Sequence, residues 1–283
     1  MNYVLQTTGK YKFYIRNDTR DCDVVNSCSV EDEYLLDILQ TKNAVVLDIG
    51  THIGGLTVKS LHNGAQKVYC VEICEENAIM LQKNVALNGF SCKRENEQGE
   101  TSVVIINKAI HDTDNGIYVD MKDSTNKGEL SDMEFQHRHI YSCYSTSDSA
   151  TPDKNVFFES ISLNTIFNKF NIPRINIVKI DCEGAEWRAL ASVTDDNLDK
   201  IDIIVGEFNP VPDFYINDKF IKAQNGNDLS ALIGHKFNDI TSDIKPLMNP
   251  KQRTWYNKLT DGTGLFLYVL LNKKYVTIKD ISN

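Results

Sequence analysis

Apolar runs that end beside an acidic residue are the strongest pattern in the chain. They are the segments 44–49, 67–73 and 175–180, whose ends carry Asp48, Glu72 and Asp181. Short runs rich in Val and Ile are typical of parallel strands that are buried on both faces of a sheet. Segments with helical spacing separate the runs, so the pattern predicts strands that alternate with helices.

Further segments complete this alternation. The predicted strands are 44–49, 67–73, 102–110, 175–180, 201–208 and 265–271, and the predicted helices are 54–62, 75–87, about 163–170 and 185–191. The first two helices stop at Asn-Gly pairs, which are common helix ends. We therefore expect an α/β fold: a seven-stranded, mostly parallel, doubly wound sheet with an antiparallel C-terminal strand.

Two long polar stretches interrupt the pattern, at about 111–155 and at about 209–262. Loops of this length inside a compact domain are usually functional or disordered. Residues 1–43 precede the first buried strand and contain a predicted acidic helix at 30–39. We expect 1–43 to be a strand and helix lead-in packed on the core, and 44–283 to be one domain with two loop insertions.

Composition narrows the possible classes of protein. The chain has 283 residues, 41% of them hydrophobic, and a net charge of −9. The acidic balance argues against a protein that holds nucleic acid mainly through phosphate contacts. No run of 18 apolar residues predicts a membrane span, and the N-terminus lacks a signal-peptide pattern. Seven cysteines, an odd number without a Cys-x-x-Cys pair, predict a reducing, cytoplasmic setting and no structural zinc.

A glycine-containing turn follows the first buried strand. Gly50 and Gly54 come directly after Asp48, and Glu72 ends the next predicted strand. Glycine lets backbone approach a ligand closely, and a carboxylate can accept two hydrogen bonds from a ribose diol. The pattern favours a nucleotide-containing cofactor, and its alternative is a plain strand-to-helix turn followed by a solvated acid.

Acidic residues also cluster where the strand 175–180 ends. Asp181, Glu183 and Glu186 lie around Gly184. Carboxylates this close repel one another, so they usually have partners or a chemical role. The cluster is expected at the switch point where doubly wound sheets bind ligands. Asp181 is the candidate to orient or deprotonate a hydroxyl, whereas Glu183 could instead cap the following helix.

These motifs resemble those of the FkbM-type methyltransferases. The resembling segments are Asp-Ile-Gly-x-x-Ile-Gly at 48–54, Val-Glu at 71–72 with Asn77, Leu81, Asn84 and Asn88 after it, and Lys-Ile-Asp-x-Glu-Gly-Ala-Glu at 179–186. The resemblance covers about 44–208. It implies a Rossmann-like class I fold, S-adenosylmethionine as cofactor, and O-methylation of sugars or other small hydroxylated metabolites.

The motifs and the resemblance together indicate roles for individual residues. The expected cofactor-binding residues are Asp48, Gly50, Thr51, His52, Gly54, Glu72, Ala109, Ile110 and Asp181. The candidate catalytic residues are Asp181, Glu183 and His111. The candidate acceptor-binding residues are Glu207, Tyr141, Trp255 and Tyr256, where aromatic faces would suit a sugar but could equally pack the loops. Clustered carboxylates suit magnesium or calcium, but the resemblance requires no metal and none is expected.

The expected partner is therefore a small-molecule or glycan hydroxyl acceptor, with neither nucleic acid nor membrane. Three alternatives stay open. A nicotinamide-dependent oxidoreductase is disfavoured because Gly50-x-x-x-Gly54 departs from the Gly-x-Gly-x-x-Gly pattern of such enzymes. The others are a non-catalytic cofactor-binding or scaffolding protein and an N-methyltransferase.

Overall fold

The computed structural model describes residues 3–17, 19–120, 146–147, 155–216, 218–223, 226–253 and 266–275. Its strands, in chain order, are β1 (Tyr3–Thr8), β2 (Tyr11–Arg16), β3 (Val45–Ile49), β4 (Lys67–Val71), β5 (Cys92–Arg94), β6 (Val103–Ile106), β7 (Ala109–Ile110), β8 (Ile117–Asp120), β9 (Thr146–Ser147), β10 (Asn155–Phe158), β11 (Ser160–Ile161), β12 (Ile175–Ile180), β13 (Ile201–Phe208), β14 (Phe214–Ile216), β15 (Lys219–Ile221), β16 (Phe237–Asp239) and β17 (Phe266–Asn272). Its helices are α1 (Asp21–Ser29), α2 (Leu36–Leu39), α3 (Gly55–His62), α4 (Glu75–Leu87), α5 (Leu163–Lys169), α6 (Glu186–Ala191), α7 (Asp195–Leu198), α8 (Gly226–Ile233) and α9 (Thr241–Ile244), which is followed by a 3-10 turn at Lys245–Leu247.

The central sheet has eight strands within the described part of the chain, in the order β16-β17-β13-β12-β3-β4-β6-β5. Neighbours pair in parallel, except that β17 is antiparallel to both β13 and β16. The chain enters the sheet at β3, winds to one edge through β4 and β6, and then crosses back to β12 and β13. This order confirms the predicted Rossmann-like, doubly wound sheet with an antiparallel C-terminal strand.

The sheet also differs from the prediction in three details. β5 is an additional edge strand paired with β6, and its sequence, Cys-Lys-Arg, forms no apolar run. β16 lies in the stretch treated as irregular, yet it pairs with β17. The predicted strand 102–110 is divided, because the side-chain amide of Asn107 donates to the carbonyls of Glu72 and Ile73, at 2.7 and 3.1 Å. Its second part, β7, pairs with β11 instead.

Both faces of the central sheet are buried, so its strands contribute to two cores. In β3, Leu47 and Ile49 belong to one apolar cluster and Val46 to the other, as the alternation of side chains along a strand requires. Three charged side chains are buried in this apolar setting: Asp48 and Lys179, with 0% and 3% of their surface exposed, and Asp202, which is fully buried beside Arg174 and Lys274. Ionised side chains are rarely this buried unless they are paired, so the positions of Asp48 and Lys179 mark a site.

The N-terminal segment corrects one prediction. The expected helix at 30–39 is wrong, because helical residues there are limited to α2 and the longer helix is α1. Asp32 and Leu35 have φ angles of 56° and 59°, which interrupt a right-handed helix. The Asp32 carboxylate accepts the N–H of Leu36 at 2.9 Å and pairs with Lys59 at 2.9 Å. Contacts with α3 therefore set this segment, and no local pattern shows them.

The hairpin formed by β1 and β2 lies outside the central sheet and is held by α4. Asn84 accepts the N–H of Tyr14 at 2.7 Å and donates to the carbonyl of the same residue at 3.2 Å. Asn88 makes the same two bonds to Lys12, at 3.1 and 2.6 Å. The lead-in thus lies against the helices that follow β3 and β4, although the division into lead-in and core domain stays a prediction.

Two further features bear on the setting of the protein. The six cysteines among the described residues are free: Cys22, Cys28, Cys70, Cys74, Cys92 and Cys182. Within the same ranges, no helix has the length and apolar character needed to span a bilayer. The cytoplasmic location stays a prediction.

Candidate active site

A cavity of about 550 Å³ opens at the carboxyl ends of β3, β4, β12 and β13. Ten residues singled out from the sequence line it: Asp48, Gly50, Thr51, His52, Glu72, Ala109, Ile110, Asp181, Glu183 and Glu207. Gly54 and His111 do not line this cavity. Tyr141, Trp255 and Tyr256 lie outside the described residues. The lead-in supplies further lining residues, among them Arg20, Glu33 and Tyr34.

The turn after β3 is pressed against the end of β12. Gly50 has a φ of +73°, and a Cβ added there would lie 1.8 Å from the carbonyl oxygen of Asp181. Its N–H donates to the carbonyl of Val71 at 3.0 Å. Its own carbonyl accepts a hydrogen bond from Nζ of Lys179 at 2.7 Å. Only glycine fits this approach, and the turn is fixed from both sides.

Asp48 is a buried carboxylate in which one of the two oxygens accepts a hydrogen bond. Oδ2 accepts a hydrogen bond from the hydroxyl of Thr57 at 2.7 Å. Oδ1 has no hydrogen-bond partner among the described residues and lies 3.8 Å from Nζ of Lys179. Burial raises the pKa of Asp48, and the charge of Lys179 opposes that rise. The free oxygen leaves a hydrogen-bond acceptor at the wall of the cavity.

Glu72 is held by donors on both carboxylate oxygens. Oε2 accepts the N–H of His52 at 2.7 Å, and Oε1 accepts the N–H of Cys74 at 2.9 Å and Nδ2 of Asn77 at 3.3 Å. Burial raises the pKa of Glu72 to about 7, although these hydrogen bonds oppose the rise. An asparagine in the first turns of a helix suggests a surface residue, but Asn77 is buried, with only 4% of its surface exposed.

Asp181 is oriented by two groups that the sequence analysis did not assign. The hydroxyl of Tyr34 donates to Oδ2 of Asp181 at 2.6 Å. Nζ of Lys179 lies 3.9 Å from the same oxygen. Burial would lower the pKa of Lys179, but the carboxylates of Asp181 and Asp48 raise it above its ordinary value. The side chain of Asp181 is 27% exposed, so a substrate can reach it.

The neighbouring carboxyl groups hold their protons more tightly than usual. Burial, reinforced by the charge of Asp181, raises the pKa of Glu183 to about 7, of Glu186 to about 8 and of Glu207 to about 9. Glu186, and not Glu183, accepts the N–H of Cys182, at 2.7 Å. Glu183 instead adopts a φ of 57° in the turn before α6. Near neutral pH the wall beside Asp181 therefore contains carboxyl groups that retain protons and can donate hydrogen bonds.

His111 and Gly54, two of the predicted site residues, lie outside the lining of the cavity. His111 is buried, and its Nδ1 lies 2.5 Å from the carboxylate of Asp112, which in turn pairs with Arg188 at 3.0 Å. Gly54 has a φ of +95°, and a Cβ there would lie 2.5 Å from a methyl of Leu81. Gly54 therefore serves the packing of α4 on the turn. The catalytic role of His111 stays a prediction without support from the cavity.

No role was predicted from the sequence for Lys179 or Tyr34, and only Lys179 has a recognisable signal in its local sequence. Lys179 interrupts the apolar strand β12, and a charge at a buried strand position could have indicated its role. Tyr34 had no usable signal, because its segment was predicted as a helix and its partner lies 147 residues away. Within the described ranges, no group of three His, Cys, Asp or Glu residues is arranged to hold a metal ion.

Comparison with known families assigns the protein to a class. The model described as "Methyltransferase FkbM domain" matches residues 48–253, which is more than two thirds of the chain. The chain therefore belongs to the FkbM methyltransferase family. Its cofactor is S-adenosylmethionine, as the resemblance implied. A comparison with curated proteins found no match.

The solved structures that match the chain share little sequence with it. A candidate S-adenosylmethionine-dependent methyltransferase from Streptococcus mutans is 9% identical, with a TM-score of 0.38, over 95% of this chain and 55% of the other. The tRNA (uracil-54, C5)-methyltransferase from Pyrococcus abyssi is 10% identical, with a TM-score of 0.36, over 73% and 34%. Precorrin 8W decarboxylase from Methanobacterium thermoautotrophicum is 16% identical, with a TM-score of 0.33, over 63% and 62%. In each case the match spans less than two thirds of the other chain.

Proposed function

We propose that the protein methylates a hydroxyl of a small acceptor, such as a sugar, a glycan precursor or another hydroxylated metabolite. The observation that carries this proposal is the Asp181 carboxylate. It faces the cavity beside the glycine turn, is partly exposed, and is held by Tyr34 at 2.6 Å. A carboxylate in this position can accept a hydrogen bond from a hydroxyl and take its proton during transfer.

The lining fits S-adenosylmethionine. Glu72 is the candidate to bind the ribose, because it lines the cavity and backbone N–H groups fix its carboxylate. Its three hydrogen bonds leave about one of four acceptor sites, on Oε2, for a ribose hydroxyl. Asp48 has an uncommitted oxygen that suits the amino group of the methionine part. Ala109 and Ile110 offer an apolar surface for the adenine. Thr51 is tied by its hydroxyl to the carbonyl of Asp48 at 2.8 Å and so maintains the turn.

When bound, the cofactor supplies a methyl group that is already electrophilic. The protein then contributes mainly alignment of the acceptor, which can lower the barrier by about 7–11 kcal/mol in well-oriented reactions. Tyr34 and Lys179 keep the Asp181 carboxylate in one orientation. Glu207 and Glu183, also in the wall of the cavity, are candidates to contact the acceptor's other hydroxyls. Contacts of Tyr141, Trp255 and Tyr256 with the acceptor stay predictions.

The charge of the cavity supports a neutral acceptor over nucleic acid. Eight carboxyl groups line it against three lysine or arginine side chains. Four of the eight have pKa values raised to about 7–9, and even without their charge the other four outnumber the cations, so a phosphodiester would meet net repulsion. One of the three, Lys179, is already bonded to the carbonyls of Ile49 and Gly50. The same lining would attract a protonated amine, which makes N-methylation the second candidate.

A panel of acceptors tests the proposal. The protein is incubated with S-adenosylmethionine and with neutral sugars, amino sugars, sugar phosphates or a short RNA. The masses of the products are measured by mass spectrometry. NMR then locates the methyl group. We expect a methyl ether on a neutral or amino sugar, lost in Asp181→Asn and retained in the matched surface variant Asp243→Asn. Methyl found on nitrogen or on RNA, or full activity in Asp181→Asn, would overturn it.

A further inference from the structure

We propose that the Arg16–Asp21 ion pair of the lead-in positions Glu72 for cofactor binding. The pair acts on one oxygen of Glu72 through Asn77 and on the other through His52. Both charged residues precede the part of the chain matched by the family model. The inference rests on the proposed role of Glu72 in holding the ribose.

The first connection runs through a side-chain amide. Nδ2 of Asn77 donates to Oε1 of Glu72 at 3.3 Å, and Nη2 of Arg16 donates to Oδ1 of Asn77 at 2.7 Å. A guanidinium has donors and no acceptor, so it fixes the amide with its oxygen toward Arg16. The amide nitrogen must then face Glu72. Without Arg16, the amide is free to turn and present its oxygen to the carboxylate, which repels it.

The second connection runs through the glycine turn. Oδ1 of Asp21 lies 3.4 Å from Nε2 of His52. The backbone N–H of His52 donates to Oε2 of Glu72 at 2.7 Å. His52 has a φ of 54°, a conformation that persists in a non-glycine residue only where neighbours hold it. The two connections close a ring that begins and ends at Glu72.

The ion pair at the base of this ring is unusually well fixed. Nε and Nη2 of Arg16 donate to the two oxygens of Asp21 at 2.9 and 2.8 Å, and the backbone N–H of Arg16 adds a third bond at 2.9 Å. Arg16 is 4% exposed and Asp21 is fully buried. Burial would raise the pKa of Asp21, but the hydrogen bonds from Arg16 lower it below its ordinary value. A buried pair adds little net stability over apolar residues, so a role in orientation explains it better.

Calorimetric titration with S-adenosylhomocysteine tests the inference without knowledge of the acceptor. Arg16→Lys keeps the charge beside Asp21 but loses the planar fork that reaches Asn77 as well. We expect its dissociation constant to rise about tenfold, the loss of one charge-assisted hydrogen bond. The variants Asn77→Ala and Arg16→Lys are then combined. In Arg16→Lys the backbone N–H of residue 16 still holds Asp21, so the contact of Asp21 with His52 is kept and the substitution acts on Glu72 through Asn77. The double variant should therefore bind no more weakly than Asn77→Ala alone.

The matched control is Asn88→Ala. Asn88 directly follows α4, the helix that contains Asn77. It holds the same hairpin but neither bonds to Glu72 nor lines the cavity. It should lower the unfolding temperature and leave the dissociation constant within about twofold of the wild type. If Arg16→Lys fails to fold, Arg16→Met combined with Asp21→Met removes both charges together. Because this variant also removes the contact with His52, its affinity is compared with that of Asn88→Ala alone and should be the weaker of the two.

The outcomes distinguish a failure of this inference from a failure of the proposed role of Glu72 in binding the ribose. Unchanged affinity in folded Arg16→Lys, additive effects in the double variant, or equal weakening in Asn88→Ala overturns the positioning role. Glu72→Gln is measured alongside. If Glu72→Gln binds weakly while Arg16→Lys binds normally, only the positioning role is wrong. If Glu72→Gln binds normally, the role of Glu72 is wrong and the inference is lost with it.

Discussion

Replacement of Gly50 by alanine should disable the site through a single methyl group. A Cβ at this position would lie 1.8 Å from the Asp181 carbonyl oxygen, whereas real Cβ atoms do not approach closer than 3.0 Å. The turn cannot yield easily, because hydrogen bonds to Val71 and from Lys179 hold it on both sides. Relief therefore requires a displacement of about 1 Å, which can cost about 100-fold in rate at an active site. The positive φ adds about 1–2 kcal/mol of backbone strain.

The matched control for this variant is Gly89→Ala. Gly89 has a φ of +84° and no atom within 4 Å of its added Cβ, so it shares the backbone strain without the collision. Both variants are compared by thermal unfolding, by titration with S-adenosylhomocysteine and by methyl transfer. We expect Gly89→Ala to lose about 1–2 kcal/mol of stability with normal affinity, and Gly50→Ala to lose affinity and turnover as well. Affinity in Gly50→Ala within about threefold of that in Gly89→Ala would refute the reasoning.

Three further predictions concern single side chains. Tyr34→Phe removes the hydroxyl that holds Asp181, so turnover should fall about tenfold while the affinity for S-adenosylhomocysteine, measured by calorimetry, stays unchanged. Because the pKa of Glu72 is about 7 and the carboxylate form accepts ribose hydroxyls, affinity should fall as the pH is lowered through about 7; Glu72→Gln should bind more weakly and lose this dependence. The pKa of Glu186 is raised from 4.5 to about 8, so the folded protein binds this proton more tightly than the unfolded chain does. Its stabilising contribution is complete below about pH 4.5 and is lost as the pH rises to about 8, a decline that Glu186→Gln should reduce in thermal unfolding.

Each of these predictions has a contrary result. Equal losses of turnover and affinity in Tyr34→Phe would show that the hydroxyl supports the fold instead of orienting Asp181. Glu100→Gln, which changes an exposed carboxyl before β6, is the control for the pH predictions on Glu72 and Glu186. It should leave the pH dependence of affinity and that of stability as they are in the wild type. An unchanged slope of unfolding temperature against pH in Glu186→Gln would remove that residue as the cause of the decline.

The parallel sheet was predictable because its signals are local. β12 and β13 match the expected ranges, since a strand buried on both faces must be apolar at nearly every position. α4 also matches, because Glu75 and Glu76 suit the start of a helix and Asn88-Gly89 suits its end. The same logic assembled Asp48, Glu72 and Asp181 from their positions at strand ends.

The rest of the site depends on pairings across the chain that leave no local trace. Tyr34 meets Asp181 only because Asp32 and Leu35 bend the lead-in, and Lys59 in another helix stabilises that bend. Asn77 has the polarity of a surface residue and is buried because Arg16, 61 residues earlier, bonds to it. The periodicity of apolar residues shows which face of a strand or helix is buried. It does not show which distant side chain packs against that face.

The two asparagines that hold β2 also protect an edge. Within the described residues, β2 pairs with β1 on one side and with no strand on the other, which leaves a row of backbone N–H and C=O groups there. Asn84 and Asn88 bond to both groups of Tyr14 and of Lys12 respectively, so α4 takes the place of a third strand. Exposed strand edges recruit other chains and promote aggregation. Loss of these two amides should therefore reduce colloidal stability, with intermolecular pairing through β2 as the route.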